Sequence, residues 1–217
     1  MMLRTDALLF DMDGTLLSSM DSVVRCWARW AEEYGISAER FAQVQLHGRL
    51  AADIVAELLP AEQVIGALAR IEELEVQDAD GVMILPGTKA LLASLPGDRW
   101  AVVTSATRRL AEARLAVAGI SPGLLISGGD VRRGKPDPEP FLLAAGKLGF
   151  AAGRCTVFED APAGLTAGRA AGMTTVALAT THHRSELVAD VVVRDLSEVS
   201  ARVRAGGADS IELVCGA

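Results

Sequence analysis

Ala7-Leu8-Leu9-Phe10-Asp11-Met12-Asp13-Gly14-Thr15-Leu16 is the stretch that decides the fold. An apolar run of this length, bounded by a glycine turn, reads as a buried strand of a parallel sheet. The two carboxylates fall where that strand ends, and open α/β sheets build their sites at the carboxyl ends of strands. Alternation with a period of two puts Asp11 and Asp13 on one side of the chain, about 7 Å apart along it. Like charges that close call for a cation, a shared proton or different chemical roles. A solvated acidic turn is the plainer reading, since Asp and Gly are ordinary turn residues. The rest of the chain has to decide.

Further short apolar runs follow: Trp100-Ala101-Val102-Val103, Leu124-Leu125-Ile126, Thr156-Val157-Phe158, Thr175-Val176-Ala177-Leu178 and Val191-Val192-Val193. Segments with helical spacing lie between them, for example 107–118 and 162–171. Strands alternating with helices imply an α/β fold whose parallel sheet is covered on both faces. Residues 18–81 differ, with helical periodicity in several pieces and breaks near Gly35, Gly48 and Pro60. This is an all-helical insertion between the first strand and the second. The division expected is a core of residues 1–17 and 82–217 and an inserted unit of 18–81.

At 217 residues, half of them apolar and 23% charged, the chain has the composition of an ordinary globular protein with one good core or a core plus a small domain. A net charge of −7 argues against nucleic acid and anionic membranes as partners. Cys26, Cys155 and Cys215 stand far apart with no CxxC pair, and read as buried thiols rather than disulfides or a metal site. No apolar stretch approaches the roughly 18 residues needed to span a bilayer. Asp6 and Asp11 interrupt any signal-peptide pattern. A cytoplasmic protein is expected.

Three later motifs join the first. Val102-Val103-Thr104-Ser105-Ala106-Thr107 ends a strand with hydroxyls and free amides at a helix start, a phosphate-binding arrangement as well as an ordinary cap. Gly134-Lys135-Pro136-Asp137-Pro138 is a loop whose prolines restrict the backbone carrying a lysine. Phe158-Glu159-Asp160-Ala161-Pro162-Ala163-Gly164 is a second apolar strand running into carboxylates.

These four motifs, in this order over nearly the whole chain, resemble those of the haloacid dehalogenase superfamily of phosphohydrolases. The resemblance implies a doubly wound, Rossmann-like core with a small helical cap inserted after the first motif and closing over the site. It makes Asp11 the nucleophile and Asp13 the acid and base. It places Ser105 and the Ala106 amide on the phosphate, with Thr104 as the alternative hydroxyl, and Lys135 on both the nucleophile and the phosphoryl group. Mg²⁺ would be held by Asp11, Asp13 and Asp160, with Glu159 either a further ligand or an acceptor behind them. The expected reaction is hydrolysis of a phosphate monoester through an aspartyl-phosphate.

Residues also bear on the relatives. The superfamily's dehalogenases lack the second aspartate, which is present here as Asp13. Its sugar-phosphate mutases carry a histidine twelve residues after the nucleophile, where this chain has Val23. The cap segment Leu46-His47-Gly48-Arg49 resembles the cap loop of the sugar phosphatase and glycerol-3-phosphatase branch, making His47, Gly48 and Arg49 candidate contacts to a small sugar or polyol phosphate. The alternatives are a β-phosphoglucomutase-like enzyme and a non-catalytic binder of phosphorylated metabolites. Trp27, Trp30 and Tyr34 share one helix face and read as core. His182-His183-Arg184 reads as a solvated turn. Lys135, Arg49, Arg132 and Arg133 would supply local positive potential, which outweighs net charge beyond a screening length of about 8 Å. Ile211-Glu212-Leu213-Val214-Cys215 reads as an edge strand or a contact surface, and a monomer or weak homodimer is expected.

Overall fold

The computed structural model describes residues 1–44, 46, 49–203 and 211–216. Strands β1 (Met2–Thr5) and β2 (Ala7–Phe10) open the chain, and β3 (Leu17–Ser18) leads into helices α1 (Met20–Glu33), α2 (Ala38–Phe41), α3 (Ala51–Leu58) and α4 (Ala61–Gln77). Strand β4 (Met83–Ile84) leads out again, followed by α5 (Thr88–Ala93), β5 (Trp100–Val103), α6 (Arg108–Ala118), β6 (Leu125–Ile126) and α7 (Glu139–Leu148). The chain finishes with β7 (Cys155–Glu159), α8 (Pro162–Ala170), β8 (Thr174–Leu178), β9 (Val191–Val193), β10 (Val199–Val203) and β11 (Ile211–Cys215).

Six parallel strands form the main sheet in the order β6-β5-β2-β7-β8-β9. From β2 the chain moves outward through β5 and β6, then returns to the other side of β2 for β7, β8 and β9. That reversal puts a crevice at the carboxyl end of β2, where α/β sheets bind ligands. All four β2 residues are fully buried, and alternation sends them to opposite faces. Leu8 and Phe10 join the layer that includes Ala111 and Leu115 of α6, while Ala7 and Leu9 join Phe141 and Ala144 of α7 and Ala167 of α8. The register opposes Phe10 to Phe158, whose rings stack at 4.8 Å, and Trp100 meets Phe10 edge-on at 6.3 Å. The α/β doubly wound reading holds.

The inserted helices have their own core. Trp27 and Trp30 of α1 pack with Ile54, Val55 and Leu58 of α3 and Ile71 and Leu74 of α4. The Trp30 indole N–H donates to the Ala67 carbonyl at 2.9 Å, which lets this side chain be wholly buried. Arg70 of α4 reaches both oxygens of Glu33 of α1 at 2.7 and 2.8 Å. Where the insertion leaves and rejoins the core, β3 and β4 pair antiparallel, Leu17 opposite Ile84 and Ser18 opposite Met83.

Several elements depart from the sequence reading. Helix α5 and strands β1, β3, β4 and β10 were not anticipated. Strand β11 is a strand but not an edge: it is the middle strand of an antiparallel sheet, β1-β11-β10, with Ile211, Leu213 and Cys215 turned into the core. Its neighbour β1 is short and mixed in polarity, and pairs with residues some two hundred positions away, so local patterning does not reveal it.

Cys26, Cys155 and Cys215 are free and buried, as expected. Burial pushes the Cys155 thiol from 9.0 up to about 11. A thiol that ionises less readily folded than unfolded favours the folded state below the unfolded value. That contribution is lost as pH rises from 9 toward 11. Iodoacetamide at pH 8 should therefore label no thiol in the folded protein and all three in urea, and Cys155→Ala should flatten the fall in stability above pH 9. Rapid labelling of the folded protein would contradict the burial.

Among the described residues no helix is long and apolar enough to cross a membrane.

Candidate active site

The carboxyl ends of three neighbouring strands deliver the polar groups. Beyond β2 the Asp11 N–H donates to the Phe158 carbonyl at 2.9 Å, continuing the ladder toward β7. The chain then turns sharply, with the Leu16 and Leu17 amides both donating to the Met12 carbonyl. Gly14 makes the turn possible. Its φ is +91°, and a Cβ there would lie 2.2 Å from Asp160 Oδ2, so a larger residue would displace a site carboxylate. Strand β5 delivers Thr104 and Ser105, and β7 delivers Glu159 and Asp160.

Lys135, from the loop between β6 and α7, reaches into the middle of this group and is almost wholly buried. Its ammonium donates to Asp11 Oδ1 at 2.5 Å, Glu159 Oε1 at 2.8 Å and the Val103 carbonyl at 2.9 Å, which uses all three protons. Glu159 is equally committed. Its other oxygen accepts from the Asp160 and Ala161 amides at 2.9 and 2.8 Å. Gly164 makes room for it, since a Cβ there would sit 1.8 Å from Glu159 Oε1. Asp160 accepts from the Thr15 hydroxyl at 3.3 Å and from the Thr181 hydroxyl.

Burial pushes the Asp11 carboxyl well above the usual carboxylate range; Lys135 opposes this, and Glu159 and Asp160 reinforce it. Burial alone would discharge Lys135, but Asp11 and Glu159 outweigh it and hold the ammonium above its ordinary value. Asp11, Glu159 and Asp160 bring ligand atoms within 4.8 Å of one another. Three buried carboxylates share the one ammonium of Lys135. The residues therefore fit a divalent cation, which would keep Asp11 ionised. Glu159 stands in this group where Asp13 was expected.

The Asp13 carboxylate turns elsewhere. Its Oδ2 accepts from Arg114 Nη1 at 2.9 Å, and Arg114 Nη2 donates to Glu75 Oε1 of α4 at 3.0 Å. Asp13 Oδ1 is buried without a hydrogen-bond partner among the described residues. Asp11 and Asp13 line one cavity of about 410 Å³, as their shared side of the chain predicts. Its floor is the core, including Ser105 and Lys135, and its roof is the helical insertion, including Val23, Trp27, Leu50 and Ile71.

Other expected residues fall out variously. Ser105 and Ala106 line the cavity, but the Ala106 amide donates to Thr104 Oγ1 at 3.1 Å. Arg49 lines the cavity while paired with Glu57 at 2.9 Å; His47 and Gly48 lie outside the described residues. Arg132 and Arg133 are not among the cavity's lining residues: their backbone amides donate to Glu139, and the Arg133 side chain pairs with Asp137. Trp27 serves both the cap core and the cavity wall, a role beyond simple packing. His183 caps a short turn as expected, but the adjoining Thr180 and Thr181 reach Gly14 and Asp160.

Sequence reasoning missed Arg114, Glu75 and Thr181. For the first two a signal existed. Arg114 shares a helical face with Leu110, Ala111, Leu115 and Ala118, and Glu75 with Ala67, Ile71 and Leu74. A charge on an apolar stripe needs a buried partner.

This chain belongs to the haloacid dehalogenase-like hydrolases, whose family model matches residues 5–172. It is 35% identical to hexitol phosphatase A of Escherichia coli over 94% of this chain and 98% of that one. It is 32% identical to glycerol-1-phosphate phosphohydrolase 2 of Saccharomyces cerevisiae, over 98% and 91% of the two chains. Among solved structures, a hydrolase from Pseudomonas syringae superposes with a TM-score of 0.80 at 25% identity, covering 88% of this chain and 94% of that one.

Proposed function

We propose that this protein is a Mg²⁺-dependent phosphatase that hydrolyses a small sugar or polyol phosphate through an aspartyl-phosphate at Asp11. The observation that carries this reading is the buried Asp11 carboxylate, fixed by Lys135 and opening into a cavity roofed by the cap. The names of the relatives support the substrate class: one is a hexitol phosphatase, the other a glycerol-1-phosphate phosphohydrolase. Their length matches this chain nearly end to end.

An oxygen of Asp11 attacks phosphorus as the bond to the substrate's alcohol oxygen breaks. Asp13 gives its proton to that oxygen, then takes one from the water that attacks the aspartyl-phosphate. Inorganic phosphate leaves and Asp11 is restored. Lys135 holds Asp11 in place and offsets charge on the phosphoryl oxygens, with Ser105 placed to donate to them. Asp11 and Asp160 would hold Mg²⁺, which supplies further neutralisation of the phosphoryl group. Glu159, its oxygens taken by Lys135 and two amides, acts as the acceptor that fixes them. Arg49, with His47 and Gly48, would meet the sugar or polyol. The cap excludes water while the intermediate exists. One chain supplies every residue of this site, so a monomer or weak dimer suffices, and three free thiols accord with a reducing cytoplasm.

Val23 on the cavity roof favours hydrolysis over mutase chemistry, since valine cannot exchange a proton with a sugar hydroxyl. Phosphate release should be measured across hexitol, hexose, deoxyhexose and glycerol phosphates, with Mg²⁺ and with EDTA. The expected result is turnover concentrated on one or two polyol or sugar esters and abolished by EDTA. Isomerisation of a sugar phosphate without phosphate release, or full activity in EDTA, would contradict the reading.

A further inference from the structure

The hydroxyls of a sugar or polyol tail need acceptors, and among the described residues the cap offers them few. Its lining of the cavity is mostly apolar and includes Val23, Trp27, Leu50, Ile54, Leu68 and Ile71. Arg49 only donates, and it is already paired with Glu57 at 2.9 Å. Ser19 is buried, and Glu75 is taken up by Arg114. Glu72 of α4 is different. Its side chain is 25% exposed, more than that of Asp11, Asp13, Glu75 or Glu159 around the same cavity. Its Oε1 accepts from the Thr107 hydroxyl at 2.5 Å, while its Oε2 lies 3.7 Å from the mostly exposed Arg109, beyond hydrogen-bond reach. Thr107 also lines the cavity, two residues past Ser105 and so at most about 7 Å from it along the chain. A tail attached to a phosphoryl group at Ser105 covers that span.

We propose that Glu72 is a specificity-determining residue, which accepts hydrogen bonds from the hydroxyls of the substrate's tail and turns away esters whose tail carries a carboxylate or a second phosphate. This rests on the reading of the cavity as the site of a sugar or polyol phosphatase. A carboxylate offers about four lone-pair sites, and Thr107 fills one, so others remain for hydroxyls. A hydroxyl shut among apolar side chains without a partner is costly, so a tail that reaches Glu72 gains over one that does not. An anionic tail meets a like charge instead, between apolar walls that screen it poorly. Arg49 does not reverse this, because Glu57 offsets its charge. Thr107 is also the N-cap of α6, its hydroxyl oxygen accepting from the Leu110 amide, so its bond to Glu72 fastens the cap to the core. Fastening alone would treat every ester alike.

The test uses esters that differ only by a terminal CH₂OH against a carboxylate: D-glucitol 6-phosphate with 6-phosphogluconate, and a glycerol phosphate with the 3-phosphoglycerate of matching configuration. For each, kcat/KM is measured, or, for an ester that is not turned over, its inhibition constant against the preferred substrate. The wild type should favour the neutral member of each pair by at least about 30-fold. Glu72→Gln keeps the shape and an oxygen for Thr107 but removes the charge, and should narrow that ratio about 10-fold, chiefly by admitting the acid. Glu72→Ala should lower kcat/KM for the neutral ester about 10-fold, with most of the change in KM, as expected for a lost binding contact. An unchanged ratio in Glu72→Gln, wild-type preference for the acids, or no loss on the neutral ester in Glu72→Ala would overturn the proposal. Wild-type turnover of any sugar or polyol ester, absent in Asp11→Asn, upholds the phosphatase reading whatever the Glu72 variants do. Absence of turnover on every ester overturns that reading, and the proposal with it.

Discussion

Asp11→Asn lowers phosphate release from the preferred ester by about 10⁴-fold or more, the scale on which loss of a nucleophile acts. Asparagine matches the carboxylate in shape and still accepts from Lys135 through its oxygen, so the fold should survive. What it lacks is the negative charge that attacks phosphorus. Phosphate release under Mg²⁺, with circular dichroism to confirm folding, gives the answer. Activity within tenfold of wild type would mean that another group, or water itself, attacks the ester.

Lys135→Met has the second large effect, on stability and activity together. Lys135 is the ammonium that meets Asp11 and Glu159, and its side chain is 3% exposed. Methionine keeps the stem's volume but leaves buried carboxylates facing one another. Removing one partner of a buried ion pair costs about 3–5 kcal/mol. For a chain of this length that corresponds to a fall in Tm of roughly 6–20 °C. Added Mg²⁺ should restore more of the loss in the variant than it adds to the wild type, because the ion binds the folded site alone and supplies the missing charge. Turnover should fall at least about 10³-fold, since charge on the phosphoryl oxygens then goes unmet. Differential scanning fluorimetry with and without Mg²⁺ tests the first half and steady-state assay the second. A Tm within about 2 °C of wild type would show that the carboxylates do not depend on this lysine.

Much of this was legible before the structure, for physical reasons that can be named. The strand Ala7–Phe10 is buried on both faces, so its residues are uniformly apolar, and the break to Asp11 marks the sheet's carboxyl end without ambiguity. The helical breaks at Gly35 and Pro60 follow from backbone preference and fall between helices as expected. Asp11, Lys135, Glu159 and Asp160 carry signals because each closes a strand or sits in a restrained loop. Arg114 and Glu75 are less visible, because a helix displays charge all round and only its phase shows which charge is buried. That Asp13 Oδ2 accepts from Arg114 depends on how β2 and α6 pack, and no spacing encodes it. Strand β1 pairs across the length of the chain, and Thr181 meets Asp160 only because β8 lies beside β7. Register between distant segments is a property of the folded sheet, not of either segment.

The most direct test is the mass of the peptide carrying residue 11. Asp13→Asn enzyme should be mixed with p-nitrophenyl phosphate and Mg²⁺, then quenched with borohydride, which reduces an acyl-phosphate to the alcohol. The phenolate leaves without Asp13, but hydrolysis of the aspartyl-phosphate lacks its base, so the intermediate should accumulate. The result predicted is homoserine at position 11, in step with a burst of nitrophenol near one equivalent per chain. Unmodified Asp11 in enzyme that has released that burst would contradict the account.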